Sequence, residues 1–317
     1  MPLTGVTVVV CTHGKERASQ TMKCIDSVRK QTLPPEEIIL VLDDPDRNLA
    51  TFYMRHVSSD VAIISPEGHG LGNARNSGVR RSTGDILAFI DDDAYADSKW
   101  LENLVTNYRD VHAIGVGGLI QPIWENGRPR WFPEELDWIV GCSYKGLPTQ
   151  KSVVRNPIGC NMSFVREAFE RVGYFRLVSR VDFTLLAADE AEFSIRLLRN
   201  MPETRIIYDP SAVVYHRVPR YRSTFRYFVK RSFYEGLSKR ILQTVEPRSL
   251  SLETRYLAGL LGVSIISRLK HIAEPGTLPQ LFALLVSISL VMVGYVCGMF
   301  SSPRWAYAGY ETNGKSS

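Results

Sequence analysis

Three carboxylates in a row, Asp91-Asp92-Asp93, follow the apolar run of residues 86–90. A short apolar run with β-branched ends reads as a strand buried on both faces. Residues two apart on a strand point the same way, so Asp91 and Asp93 are expected to converge while Asp92 turns aside. Two carboxylates that close repel unless a hard divalent cation, its shell completed by diphosphate oxygens, lies between them. Ligands of open α/β sheets gather beyond the carboxyl ends of strands, where this cluster falls. A solvated acidic turn is the bland alternative.

Other residues able to do chemistry are scattered along the chain. Asp189-Glu190 opens a predicted helix, either as acids favoured by the helix dipole or as a general base held over a crevice. His216 ends a predicted strand, as a structural residue or as a metal ligand. Gly68-x-Gly70-x-Gly72 is neither the dinucleotide fingerprint nor a Walker loop, and reads equally as a flexible loop or a phosphate cradle. Arg75, just inside the next helix, favours an anionic ligand. Residues 121–157 mix aromatics, Trp131 and Trp138 among them, with Arg128, Arg130, Lys145 and Arg155. A long irregular stretch of this kind either covers a ligand, aromatic faces against sugars, or packs as a lid on the core.

The elements that must position these groups follow a regular order. Strands are predicted at 6–10, 38–42, 61–65 and 86–90, with helices between them. Alternation of strand and helix gives a parallel sheet with right-handed crossovers. The strand ends then carry Thr12, Asp43-Asp44, the glycine loop and Asp91–Asp93 along one edge. Beyond them a helix is expected at 99–108, a strand at 113–119, and short strands at 206–208 and 212–215.

At 317 residues the chain has room for a large α/β domain with an appendage. Five scattered cysteines without a Cys-x-x-Cys pair argue against a disulfide framework or a zinc site and fit a reducing compartment. The start, Met1 leading into a strand, carries no signal-peptide pattern. The net charge of +5 is uneven: residues 217–317 hold 14 Lys/Arg against 5 Asp/Glu, leaving 24 against 28 before them. A slightly acidic body with a basic, apolar tail suits a membrane surface rather than nucleic acid. Residues 218–275 read as a basic, interfacial helical region. Residues 276–302 contain an uncharged stretch long enough to cross a bilayer, and 303–317 form a polar tail. Basic residues crowd the N-terminal side of that stretch, which places the catalytic part, 1–217, on the cytoplasmic face of the cell membrane.

Taken together these residues resemble the family 2 glycosyltransferases of GT-A fold. The likeness runs over about residues 4–217 and rests on six segments in the family's order. They are Thr12 to Arg17, Asp43-Asp44, Ala74-Arg75-Asn76-x-Gly78, Asp91-x-Asp93, Gly159-Cys160-Asn161-Met162, and Asp189-Glu190 before Phe193-x-x-Arg196-Leu197. The resemblance implies a nucleotide-diphospho-sugar transferase with a mostly parallel, Rossmann-like sheet and a helical, membrane-associating C-terminal tail. It implies that Asp43 or Asp44 contacts the uracil or ribose, and that Thr12, Arg17, Gly70, Arg75 and Asp92 line the nucleotide sugar. It further implies that Asp91 and Asp93 hold the diphosphate through Mn2+ or Mg2+, with His216 at the metal. Glu190 matches the usual base, with Asp189 the other candidate because the pair is reversed, and Trp131, Trp138 and Asn161 are candidates for the sugars. Within the family, the run 130–142 is similar to archaeal glucuronosyltransferases that extend glucosyl-dolichyl phosphate in protein N-glycosylation. That likeness implies a UDP-glucuronate donor and a dolichyl-phosphate-linked sugar acceptor. The four basic residues of the aromatic stretch would suit a uronate carboxylate. A base fits a hydroxyl acceptor, since an already ionised dolichyl phosphate has little need of one. The alternatives are a polyprenyl-phosphate glycosyl synthase or nucleotidyltransferase with a similar crevice, and a catalytically silent membrane scaffold of the same fold.

Overall fold

The computed structural model describes residues 5–44, 48–176, 189–245 and 251–300, so the tail expected at 303–317 lies outside the described residues. Four runs of Val, Ile and Leu become the first strands: β1 (Val6–Thr12), β2 (Glu37–Leu42), β3 (Val61–Ile64) and β4 (Ile86–Asp91). They pair in parallel in the order β3-β2-β1-β4, as the sequence leads one to expect. Between them run α1 (Ala18–Arg29), α2 (Asn48–His56) and α3 (Leu71–Arg81). Gly78 lets α3 close onto β1, for a Cβ there would sit 2.4 Å from a methyl of Val9. The strand order reverses between β1 and β4, and at such a switch point the two strand ends part to leave a crevice.

The rest of the sheet is mixed. A short strand β5 (Ala94–Ala96), then α4 (Trp100–Thr106), lead to β6 (Ala113–Trp124). After β7 (Ser152–Val154) come β8 (Asn161–Val165), α5 (Arg166–Val172), α6 (Asp189–Asn200) and β9 (Arg205–Val218). β8 runs antiparallel between β4 and β6, β9 lies parallel to β6, and β5 and β7 pair antiparallel with β9. The two short strands expected at 206–208 and 212–215 are therefore one, joined across a register shift at Gly118/Leu119. Asn161 explains how this seam holds. Fully buried, it accepts from Trp100 Nε1 (2.8 Å) and donates to the carbonyls of Leu119 (3.0 Å) and Ala212 (2.8 Å), tying α4, β6 and β9 together.

Beneath the sheet Phe164, Phe169, Phe175 and Phe193 form one aromatic cluster, with Phe193 stacked 4.8 Å from Phe169. Removing a buried ring of this kind typically costs about 3–5 kcal/mol. Phe193 is the anchor that fixes the first turn of α6, and with it Asp189 and Glu190.

The tail is helical: α7 (Phe225–Val245), α8 (Ser251–Gly259), a π-helical segment Leu260–Ile265, α9 (Ile266–Lys270) and α10 (Thr277–Phe300). α7 lies on the catalytic domain. Trp131 packs edge-on against Phe225 and Phe228, and Arg231 stands over Trp138. A ladder of ion pairs, Arg231–Glu235–Lys239–Glu253–Arg155, continues the contact. Arg268 clamps Glu135 with two bonds of 2.9 and 2.8 Å. The tail is thus docked on the domain by charge as well as by aromatic packing.

Candidate active site

β1 and β4 deliver Thr12 and Asp91 side by side, Cys11 being the registered partner of Asp91. The strand ends at Asp91, and Asp92 and Asp93 form a turn, so Asp93 is placed by the turn rather than by strand alternation. Asp91 and Asp93 both come to His216, the first within 4.8 Å and the second at 3.2 Å, while Asp92 turns aside. Asp91 is the most open, its side chain 31% exposed and 3.4 Å from Arg75 Nη2. Asp92 points into the body. Thr12 donates to it at 2.6 Å and Arg17 pairs with it. Burial, opposed by Arg17 but helped by Asp93, pushes Asp92 up to about 7. Asp93 is enclosed by cations: His216 Nε2 at 3.2 Å, Arg17 at 3.4 Å and Arg222 at 3.9 Å. Burial opposes its charge, but His216 and the two guanidiniums outweigh it and hold Asp93 below the usual carboxylate range. The same pairing outweighs burial for His216 and raises it to about 10.

The donors that come together are Asp91, Cys160 and His216, whose ligand atoms lie within 4.8 Å of one another. Cys160 was passed over in the sequence because it stands alone. It is buried at the start of β8, the strand that runs back beside β4, and burial holds its thiol well above the usual range. A carboxylate, a thiol and an imidazole at this spacing form a donor set for a divalent metal ion. With Nε2 of His216 on Asp93, the nitrogen left to ligate is Nδ1, which faces Cys142 Sγ at 3.6 Å, and the imidazole must shed its extra proton to bind a metal.

Arg75 is the hub of the crevice. It is buried on α3 yet reaches Asp91 and the carbonyl of Gly159 (3.1 Å). Burial works against its charge, but Asp91, Asp189 and Glu190 together raise it above the ordinary arginine value. Gly159 is what admits it, since a Cβ there would lie 2.7 Å from Arg75 Nη2. Asp189 and Glu190 act on the same guanidinium. Burial and the charge of Asp189, opposed by Arg75, push Glu190 above its ordinary range. α7 packs on α6, the helix that carries this pair, so the tail reaches this side of the site.

At the other edge, Asp43 accepts from the Gly70 amide (2.7 Å) and sits 3.0 Å from His69 Nδ1, fastening the glycine loop. Gly70 has φ +97°, and a Cβ there would meet nothing within 4 Å, so the backbone conformation is what calls for glycine. Asp44 accepts from the Leu49 amide at 2.6 Å in the first turn of α2.

Several expected ligand contacts turn out to be internal braces. Asp92 accepts from Thr12 and Arg17, and Asn161 satisfies its amide within the sheet, so these side chains already have partners within the protein. Trp131 packs on Phe132, Phe225 and Phe228, and Trp138 donates to Tyr256 at 3.2 Å, which makes both part of the seam with the tail. Of the basic residues proposed for a uronate, Arg128 is committed to Asp137 (2.7 and 2.6 Å) and Arg155 to Glu253 (2.9 Å twice). Lys145 lies 3.8 Å from Glu135. Arg222 was not foreseen: its approach to Asp93 spans more than a hundred residues of chain and leaves no local pattern.

Comparison with known proteins identifies the family and the fold. The family described as "Glycosyl transferase family 2" matches residues 7–173. A "Glucosyl-dolichyl phosphate glucuronosyltransferase" of Haloferax volcanii is 35% identical over 303 residues, covering 93% of this chain and 96% of that protein. The "Succinoglycan biosynthesis protein ExoM" of Rhizobium meliloti is 23% identical, covering 73% and 72%. Among solved structures, "Crystal structure of GalNAc-T7 with UDP, GalNAc and Mn2+" superposes with a TM-score of 0.51 at 18% identity, covering 80% of this chain and 54% of that one. The fold is therefore GT-A-like, and the protein is a glycosyltransferase that belongs to glycosyl transferase family 2.

Proposed function

We propose that this glycosyltransferase moves glucuronate from UDP-glucuronate, with inversion, onto a hydroxyl of a dolichyl-phosphate-linked sugar in protein N-glycosylation. The observation that carries the chemistry is a buried Arg75, 3.4 Å from Asp91 and under the charge of Asp189 and Glu190. The choice of donor and acceptor is supported by the named activity of the Haloferax volcanii relative.

In this reading the acceptor oxygen attacks the anomeric carbon opposite the diphosphate. Glu190 takes the hydroxyl proton as the new C–O bond forms, and the bond from the anomeric carbon to the diphosphate oxygen breaks, releasing UDP. Arg75 offsets the charge gathering on the leaving oxygen from a site where burial strengthens the attraction. A divalent ion, held by Asp91 and His216 with Asp93 steadying the imidazole, would supply Lewis-acid stabilisation of the same oxygen. Asp43 and Asp44 border the nucleoside end, and Arg17 and Arg222 add positive charge beside the aspartates. The reading supports a cell-membrane location with the catalytic domain on the cytoplasmic side, from the basic residues before α10.

The test is transfer of labelled glucuronate to glucosyl-dolichyl phosphate by the full-length protein, with and without Mn2+. Transfer is expected to need the metal and to be lost in Asp91→Ala and Glu190→Gln. Transfer to dolichyl phosphate itself, untouched by Glu190→Gln, would show a synthase instead.

A further inference from the structure

We infer that α10 lies in the plane of the membrane surface, half embedded, and does not cross the bilayer. By length it could cross: 24 residues span about 36 Å against a hydrocarbon layer of roughly 30 Å. What forbids it is α7. Contacts between the two helices rise in number together: Phe225 with Phe282, Ser232 with Ser287, Gly236 with Val291, Arg240 with Gly298. They run side by side in the same direction, and closely. A Cβ on Gly236 would lie 2.0 Å from the Val291 carbonyl oxygen, and one on Gly294 2.0 Å from that of Phe233.

Away from α10, α7 is fastened to the catalytic domain directly from Phe225, on Trp131, to Arg231, over Trp138, and from there to Lys239 through Glu253 of α8, which pairs with Arg155 of the domain. That is 14 residues, or about 21 Å of helix axis. Were α10 to cross, it would carry this length of α7 into hydrocarbon. Arg231, Glu235 and Lys239 would go with it, and so would the domain surface docked there. Laid flat, α10 asks none of this. Its exposed large apolar residues, which run from Leu278 and Phe282 to Val293, Met299 and Phe300, all fall within an arc of about 120° at 100° per residue, which is one face of a helix. Val263, Ile266 and Leu269 on the preceding helical segments are exposed as well. Exposed Arg226, Lys230 and Lys270 add the positive charge that draws a helix to anionic headgroups. The occupant this face fits is an anionic lipid surface. Because α7 also packs on α6, the helix that opens with Asp189 and Glu190, the depth of α10 also sets the height of the acceptor side above the lipid.

The inference rests on the membrane association proposed above, and the experiment separates the two. Leu278→Cys, Ser289→Cys and Met299→Cys are made singly in full-length Cys297→Ser protein and labelled with bimane. The labelled proteins are bound to phosphatidylcholine–phosphatidylglycerol vesicles carrying nitroxides at shallow or deep acyl positions. Cys297→Ser alone serves as the label background. In-plane placement gives the same quenching ratio at all three sites, with the shallow nitroxide the stronger quencher. A graded series, shallow at 278 and 299 and deepest at 289, overturns it in favour of crossing and leaves membrane association standing. No quenching by either nitroxide, with concentration-dependent dimers in its place, overturns membrane association too and assigns the face to a second copy. Neither result bears on sugar transfer, which is read separately.

Discussion

Gly159→Ala isolates the position of Arg75 from its presence. The added methyl would lie 2.7 Å from Nη2 and 3.2 Å from Nη1, where ordinary contact begins at 3.4 Å. The guanidinium must therefore retreat by 0.7 Å, the difference between 3.4 and 2.7 Å. It is the far end of a flexible side chain, so the retreat costs little stability, and the melting temperature should fall by no more than about 4 °C. Its hold on the leaving oxygen has no such slack. Arg75 is already 3.4 Å from Asp91, at the outer limit of a hydrogen bond. Misplacing a catalytic group by about 1 Å can cost on the order of 100-fold in rate, so kcat for sugar transfer should drop by about 10- to 100-fold. Arg75→Met removes the charge altogether and should cost on the order of 100- to 1000-fold. The assay is initial-rate transfer from labelled UDP-sugar by purified full-length protein, with kcat and KM separated. If Gly159→Ala keeps wild-type kcat, and Arg75→Met stays within about tenfold of it, the leaving-group role of Arg75 is refuted.

Glu190, raised by burial and by Asp189, accepts a proton only when ionised, so the rate should climb with pH through a value above that of an ordinary glutamate. Asp189→Asn removes a like charge, lowers that value and should move the acid limb of the kcat–pH profile to lower pH. A limb that stays in place would take the proton transfer away from Glu190. Asn161→Ala leaves Trp100 Nε1 and two carbonyls without their partner, and should destabilise the domain by about 3 kcal/mol, seen in a denaturant melt. Since that side chain faces the sheet, the KM for donor of the folded variant should be unchanged.

The parallel half of the sheet was readable because each strand is a continuous apolar run buried on both faces, and each ends in polar residues. The mixed half was not. β8 is set antiparallel by its pairing with β4 across 70 or more residues, and nothing within Asn161–Val165 records that direction. The long β9 reads as two strands because Asp209-Pro210-Ser211 interrupts its apolar pattern where the register shifts. At the site, Asp91, Arg75, Asp189 and Glu190 were visible as charged residues at element ends. Their surroundings turn in part on partners far off along the chain, as with Gly159, 84 positions from Arg75. Alternation supposes a strand through Asp93, whereas the strand ends two residues earlier and a turn brings Asp93 to His216 beside Asp91.

The tail shows the same limit from the other direction. α10 announces itself by composition, but composition fixes only that it avoids water on one side. α7 carries charged and apolar residues all round, which in isolation reads as a helix lying against lipid headgroups. In the fold both its sides are covered: the ion ladder faces the domain, and the small residues Ser232 and Gly236 face α10. A helix buried between two unlike neighbours has no single apolar stripe to read. Its neighbours had to be found first, and they are what tie the exposed apolar face of α10, proposed to meet lipid, to the helix whose carboxylate is expected to receive the acceptor's proton.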